Sequence, residues 1–250
     1  MPTFNNLKGD AEQRDYSVPY EYQTEANRTN LLLKVFLVLF VSLLLTAGAS
    51  YGIGYWLSGA LDMRDEIAFN GMMIAMGVSV VGLVIMSIVI PVAMSRGKHS
   101  ILPYYILYLV FMSVLLSTLF VIYDMSIIVI SFGITGVVFG VMALLGYLSK
   151  GSLNGLGLLG TTFFLGAIGL SLINFFMRSQ LLYWIISFGV FAYILFITAY
   201  DVRRIKDIIN SGCVNNSNNL VLFCALTLYM DFVNILIRIA AYLAKAKSND

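Results

Sequence analysis

After about thirty polar residues, the chain turns to long runs that would be apolar on every face of a helix, at 31–56, 67–94, 101–122, 125–148, 156–177, 182–200 and 220–243. A helix needs about 20 apolar residues to cross a hydrocarbon core roughly 30 Å thick, whereas a barrel strand needs only about 10 residues of alternating character. The pattern therefore predicts an all-α polytopic membrane protein with seven transmembrane helices. It divides the chain into a flexible cytosolic tail 1–30, a transmembrane domain 31–243 and a short C-terminal tail 244–250.

The breaker residues agree with this division. Pro2 and Pro19 fall in the tail, Pro91 near the end of the second run, and Pro103 in the first turn of the third, where a missing backbone donor costs least. Tyr55, Trp56, Tyr147, Tyr183 and Trp184 sit at run ends, as an interfacial aromatic belt requires. Composition adds that 60% of residues are hydrophobic and 11% charged. A soluble domain is about 25% charged, so a soluble globular protein is excluded. The bilayer is the expected environment, and no nucleic-acid partner is expected.

The polar tail carries Asp10, Glu12, Asp15, Glu21 and Glu25 against Lys8, Arg14 and Arg28. A secretory signal would begin with positive charge and a short apolar stretch, so the tail reads as a cytosolic arm, with partner docking as an alternative role. The stretch 215–219, rich in Asn, reads as a flexible loop. Of the 15 basic residues, ten lie on the side of the N-terminus, including Arg96, Lys98, Lys150, Arg203, Arg204 and Lys206. Five (Arg64, Arg178, Arg238, Lys245 and Lys247) lie on the other. The positive-inside rule then places the N-terminus in the cytosol, the C-terminus outside and the loop after Tyr200 in the cytosol. Cys213, in that loop, and Cys224, in the last run, are expected to be free thiols. The acceptor patterns at Asn27 and Asn215 lie on the cytosolic side and are discounted.

Several apparent motifs have plainer readings. Gly155, Gly157 and Gly160 match a dinucleotide fingerprint, which requires a preceding strand; here a membrane span precedes, and a glycine-rich loop entering the fifth helix is expected instead. Gly48 with Gly52, and Gly136 with Gly140, have the spacing that lets helix backbones approach in lipid. His99 is the only histidine and is expected in a solvated loop, so neither a zinc cluster nor a catalytic triad can be assembled, and no catalytic residue is assigned. Asn174 and Thr198 read as interhelical hydrogen-bonding groups.

The acids discriminate better. Eleven of the thirteen have solvated positions in the tail, the loops, the span ends or the terminus, among them Asp124 at a span end and Asp207 in a loop. The two left over are Asp201, closing the sixth run in Thr198-Ala199-Tyr200-Asp201, and Asp231, well inside the seventh. An ionisable group inside a bilayer costs at least about 2.5 kcal/mol, so it has a partner or lines a water path. Thr227, Asp231, Asn234 and Arg238 recur at steps of four, three and four, forming one polar stripe expected to face a cavity. Arg238, about 10 Å along the axis from Asp231, is expected to snorkel to the outer surface.

Thr198-Ala199-Tyr200-Asp201 and Ala225-Leu226-Thr227-Leu228-Tyr229-Met230-Asp231-Phe232-Val233-Asn234 resemble the signature of the Bax inhibitor-1 (transmembrane Bax inhibitor motif) family, in the style of its bacterial members. Gly146-Tyr147, Lys150, Asn174-Phe175-Phe176 and Tyr183-Trp184 extend the resemblance from the first span to the last. Met230, where leucine is commoner, conserves volume. The resemblance implies seven helices with the C-terminal one central, and a pH-sensitive calcium leak governed by two aspartates, which by motif position are Asp201 and Asp231. It also implies an associated basic residue at the cytosolic end of the second helix, for which Arg96 is the nearest match. No cofactor is implied; calcium is the permeant ion, held transiently by Asp231 and Asp201 with help from Asn234 and water.

Two carboxylates held together titrate as a pair and so can sense protons. One tension accompanies this reading: Asp231 is about 16 Å deep in its run, while Asp201 stands at the cytosolic end of its own. Two other readings are weighed. Paired intramembrane aspartates resemble presenilin-type aspartyl proteases, but there the second aspartate follows a Gly-x-Gly, and Asp231 follows Leu228-Tyr229-Met230. Bacterial relatives are also linked to restraining a membrane-bound quality-control protease, a partner the acidic tail could dock. A retinal-type receptor would need a lysine within the last run, and 220–243 contains none.

Overall fold

The computed structural model describes residues 25–62, 66–96, 100–149, 154–211 and 217–248. They form seven helices, α1 (Glu25–Asp62), α2 (Glu66–Arg96), α3 (Leu102–Ile122), α4 (Met125–Leu148), α5 (Asn154–Met177), α6 (Gln180–Ser211) and α7 (Ser217–Lys247), with no strand among the described residues. Six contain stretches long and apolar enough to cross a membrane, and in α5 the described apolar stretch is Leu165–Met177. The tail expected at 1–30 is helical from Glu25, and its first 24 residues lie outside the described ones. His99, Lys98 and Cys213 also lie outside them.

The helices alternate in direction, which the cross-links between them establish. Ser42 Oγ pairs with Tyr105 OH at 2.6 Å, and Ser50 Oγ donates to the Ser113 carbonyl at 3.0 Å. Eight residues on along α1 meet eight residues on along α3, so these two run parallel. Ile101 N donates to Asn219 Oδ1, which puts the start of α3 beside the start of α7. At the other end Lys247 pairs with Asp124 in the α3–α4 turn. The start of α1 and the end of α7 are therefore at opposite ends of the bundle. The end of α4 lies with the end of α6, where Arg203 Nη1 donates to Ser149 Oγ at 3.0 Å. The start of α6 lies with the end of α7, where Lys245 stands over the Trp184 ring. α5 must therefore cross the whole bundle, and the protein is a polytopic membrane protein of seven helices.

α7 is the axis of the packing. Its span is 67% buried, against 11–33% for the other five long spans. It touches α1, α2, α3, α4 and α6, while among the described residues α5 touches only α6. Ala225, Leu228, Tyr229, Ile235 and Leu236 of α7 are almost wholly enclosed. The outward faces carry Leu37 and Leu45 of α1, Ile74 and Val81 of α2, and Phe196 of α6, an apolar surface suited to lipid and unsuited to water.

Three expectations need correction. The sixth helix does not stop at Tyr200 but runs to Ser211. Arg203, Arg204, Lys206 and Asp207 thus stand on a helix and not in a loop, with Arg203 Nε 3.6 Å from Asp207 one turn on. The helix continues because Thr198, Val202, Ile205 and Ile209 repeat at steps of four, three and four and are all buried. Second, Gly48, Gly52, Gly136 and Gly140 face outward with open space beside them. The close helix contact is at Gly146, where a Cβ would collide with the Ala199 carbonyl of α6. Third, Asn174 and Thr198 bond locally and do not bridge helices. Asn174 Oδ1 accepts from Ser179 N at 3.0 Å to close the α5–α6 turn, and Thr198 Oγ1 donates to the Ile194 carbonyl of its own helix. The turn itself is sharp, with Arg178 in the left-handed region at φ 51° and donating to the Asn174 carbonyl. Gly155 to Gly160 fall within α5, so the dinucleotide fingerprint has no strand before it among the described residues.

Candidate functional site

Asp231 lies in α7 at 7% exposure, and its Oδ2 has no hydrogen-bond partner among the described residues. It is the only buried carboxylate among them. A buried carboxyl group must hold a proton, meet a cation or meet water, because an isolated ion in an apolar interior costs many kcal/mol. Asp201, half-buried on α6, is within electrostatic reach of it.

The register of α6 on α7 places the two. Ser187 Oγ and Tyr242 OH pair at 2.9 Å, and Lys245 Nζ is 4.2 Å from the Trp184 ring. Continued at equal steps, this antiparallel register brings Asp231 level with Thr198, and Asp201 about 4.5 Å nearer the end of α6. Lys206 Nζ donates to the Tyr147 carbonyl at 2.8 Å and lies over its ring, at the level where α4 ends. Along the helix axis Asp201 is then roughly 8 Å and Asp231 roughly 12 Å from that level. The tension over depth eases, because α6 continues about three turns beyond Tyr200.

Gly146 is what allows this approach. With no Cβ on α4, the backbone of α6 at Ala199 comes directly against it, two residues before Asp201. Phe132 and Phe139 of α4 meet the Phe232 ring at 6.1 and 5.6 Å, which fixes the neighbouring turn of α7. Between those two phenylalanines stands Thr135, whose buried Oγ1 is also without a partner. Two buried oxygens, one on α4 and one on α7, therefore call for water or a cation.

The predicted stripe divides. Asn234 and Arg238 line a groove of about 350 Å³ between α6 and α7, whereas Thr227 is partly buried and donates to the Phe223 carbonyl of its own helix. Arg96 ends α2, but its side chain lies outside the described residues. Among the described residues, the cation within electrostatic reach of Asp201 is Arg204, one turn further along α6. Sequence reasoning missed it by ending the sixth span at Tyr200, although the i, i+3 spacing was there to read. Also missed was the hydroxyl ladder Ser42, Thr46 and Ser50 of α1, at helical steps of four. It is buried and tied to Tyr105, Tyr229 and the Ser113 carbonyl.

For calcium the pair offers few ligands. No cluster of three Asp, Glu, His or Cys side chains occurs among the described residues, whereas stable calcium sites take six to eight oxygens. The arrangement suits sharing a proton or passing a cation better than storing one.

A family described as Inhibitor of apoptosis-promoting Bax1 matches residues 28–249, nearly the whole helical bundle. The chain belongs to the Bax inhibitor-1 family. Among curated relatives, the Inner membrane protein YbhL of Escherichia coli is 29% identical over 217 residues, covering 85% of this chain and 90% of that protein. An uncharacterized protein of Borreliella burgdorferi is 26% identical over 226 residues, 89% of this chain and 94% of its own. The uncharacterized protein RP147 of Rickettsia prowazekii is 32% identical over 136 residues, about half of each chain. No solved structure matches. In this Bax inhibitor-1 family member, Asp201 and Asp231 are on the helices that pack against Gly146 and the phenylalanines of α4.

Proposed function

We propose that this Bax inhibitor-1 family member is a calcium leak pathway of the bacterial inner membrane, whose conductance is set by a proton shared between Asp201 and Asp231. The inner-membrane assignment draws on the name of the Escherichia coli relative and on the apolar helices. The observation that carries the reading is the buried Asp231 carboxylate, with an oxygen that no described residue satisfies, in the central helix and within electrostatic reach of a second carboxylate. Such a pair changes charge as protons are gained or lost, and the charge change acts where a cation would have to pass.

The packing around the pair favours a shut resting state. Toward the end of α6, Val202, Ile205 and Ile209 are buried, and so are Leu220, Val221 and Cys224 of α7. An apolar layer of that kind resists hydration and so resists ions. Toward the other end the α6–α7 groove reaches Asn234, one turn from Asp231. A change in the charge of the pair alters how well α6 seats against α7, which would open or close the apolar layer. No bond is made or broken in this account, and no cofactor is involved. Calcium entry into proteoliposomes, followed with a trapped indicator across a pH series, tests it. The account expects flux that varies with pH; absence of flux at every pH would contradict it.

A further inference from the structure

The groove between α6 and α7 has a chemistry that calcium passage does not explain. Its charged lining is entirely positive: Arg238 and Lys245 face it, and neither has a carboxylate partner among the described residues. Two cations without carboxylate partners beside hydrocarbon are costly. Their setting supplies what an anion needs. Lys245 Nζ lies 4.2 Å from the Trp184 ring and 5.2 Å from the Tyr183 ring, which fixes it at the aromatic boundary of the membrane. Arg238 starts about 10 Å deeper on the same face of α7 and lines the same groove, its side chain able to lean toward that boundary.

We propose that this groove binds the phosphate of an anionic phospholipid from the leaflet on the C-terminal face. Arg238 and Lys245 hold the phosphate, the guanidinium by paired N–H donors and the ammonium as a point charge. Beside them Ile194, Ile237 and Ala241 give the groove an apolar wall against which the start of an acyl chain lies. The volume of about 350 Å³ is enough for a headgroup and the first carbons of a chain. A lipid is favoured over free phosphate because apolar side chains line the groove beside the two cations. An anionic headgroup is favoured over a choline or ethanolamine headgroup because a second cation would meet Arg238 and Lys245. The nearby hydroxyls do not compete: Tyr242 OH donates to the Ser187 carbonyl at 3.0 Å and pairs with Ser187 Oγ. The assignment does not depend on the calcium reading.

The test is native mass spectrometry of the full chain in detergent, titrated separately with phosphatidylglycerol, phosphatidylcholine and inorganic phosphate. Phosphatidylglycerol should bind at least tenfold more tightly than phosphatidylcholine and should not be displaced by millimolar inorganic phosphate. The double variant Arg238→Gln/Lys245→Gln should lose that preference, the single variant Lys245→Arg should keep it, and Lys247→Gln, whose lysine pairs with Asp124 outside the groove, should leave it unchanged. Should the double variant fail to fold, the lipid comparison on the wild type and Lys245→Gln still decides. Equal binding of the two lipids, displacement by inorganic phosphate, or an undiminished preference in the glutamine variants would overturn the proposal.

Discussion

The Tyr229 hydroxyl donates to Thr46 Oγ1 at 3.0 Å, tying the central helix to α1 two residues before Asp231. Two residues turn a helix by roughly 200°, so Tyr229 and Asp231 point to opposite sides of α7. One side is a satisfied structural anchor, since Thr46 donates in turn to the Ser42 carbonyl and Ser42 pairs with Tyr105. The other side carries the unsatisfied carboxyl oxygen.

Tyr229→Phe should therefore affect stability alone. Interhelical hydrogen bonds in membranes contribute about 0.6 kcal/mol on average and up to about 1.7 kcal/mol. A loss in that range is expected from unfolding in detergent, with the pH profile of calcium flux unchanged. A shifted profile would mean that the anchor and the pair are coupled.

At Gly146 the expected cost is larger. Gly146→Ala brings a methyl group onto the Ala199 carbonyl, backbone against side chain, and overpacking of this kind costs about 1–3 kcal/mol. Gly136→Ala and Gly140→Ala, with open space beside them, should be neutral. Thermal unfolding of the three variants separates these outcomes, and equal melting temperatures would contradict the α4–α6 contact.

The alternating helices also fix which residues share a face. With Cys213 replaced by serine, thiols introduced at Asn210 and Ser248 should be labelled from opposite sides of sealed vesicles, because the end of α6 and the end of α7 lie at opposite ends of the bundle. The basic bias predicts that position 210 is the cytosolic one. Labelling of both positions from the same side would break the seven-span arrangement.

Arg204 and Arg203 make a matched pair. Arg203 is tied to Ser149 and Asp207, whereas Arg204 is the cation within reach of Asp201. Arg204→Gln should move the pH midpoint of flux, and Arg203→Gln should leave it in place. The reverse pattern would shift the role of Asp201's cation away from Arg204.

Most of this fold could be read in the sequence because lipid-facing runs must be continuously apolar and of a fixed length. The two aspartates were legible for the same reason, as charges with no solvated place to go. What could not be read was orientation about the helix axis. Gly136 and Gly140 have the spacing of a contact and point outward, while Gly146, with no such spacing, carries the contact. Glycine spacing does not tell the lipid side from the protein side, whereas the buried hydroxyls Ser42, Thr46 and Ser50 of α1 do. The end of α6 was missed for a different reason. Its polar turns 203–207 look like a loop, and only the buried spacing of Val202, Ile205 and Ile209 reveals that the helix continues.

The central claim, that Asp201 and Asp231 act as one proton-sharing unit, is tested most directly by calcium flux from about pH 6 to 8 in proteoliposomes bearing Asp201→Asn, Asp231→Asn or both. Each single variant removes one of two coupled titrations, so each should flatten the pH dependence while the protein stays folded. The double variant should be no less pH-sensitive than either, because the losses from groups that work as one unit do not add. Basal leak need not change in the same direction in the two single variants, since Asp231 is buried beside the path and Asp201 lies by Arg204. Wild-type pH profiles in both single variants would contradict the account, even if calcium still leaked.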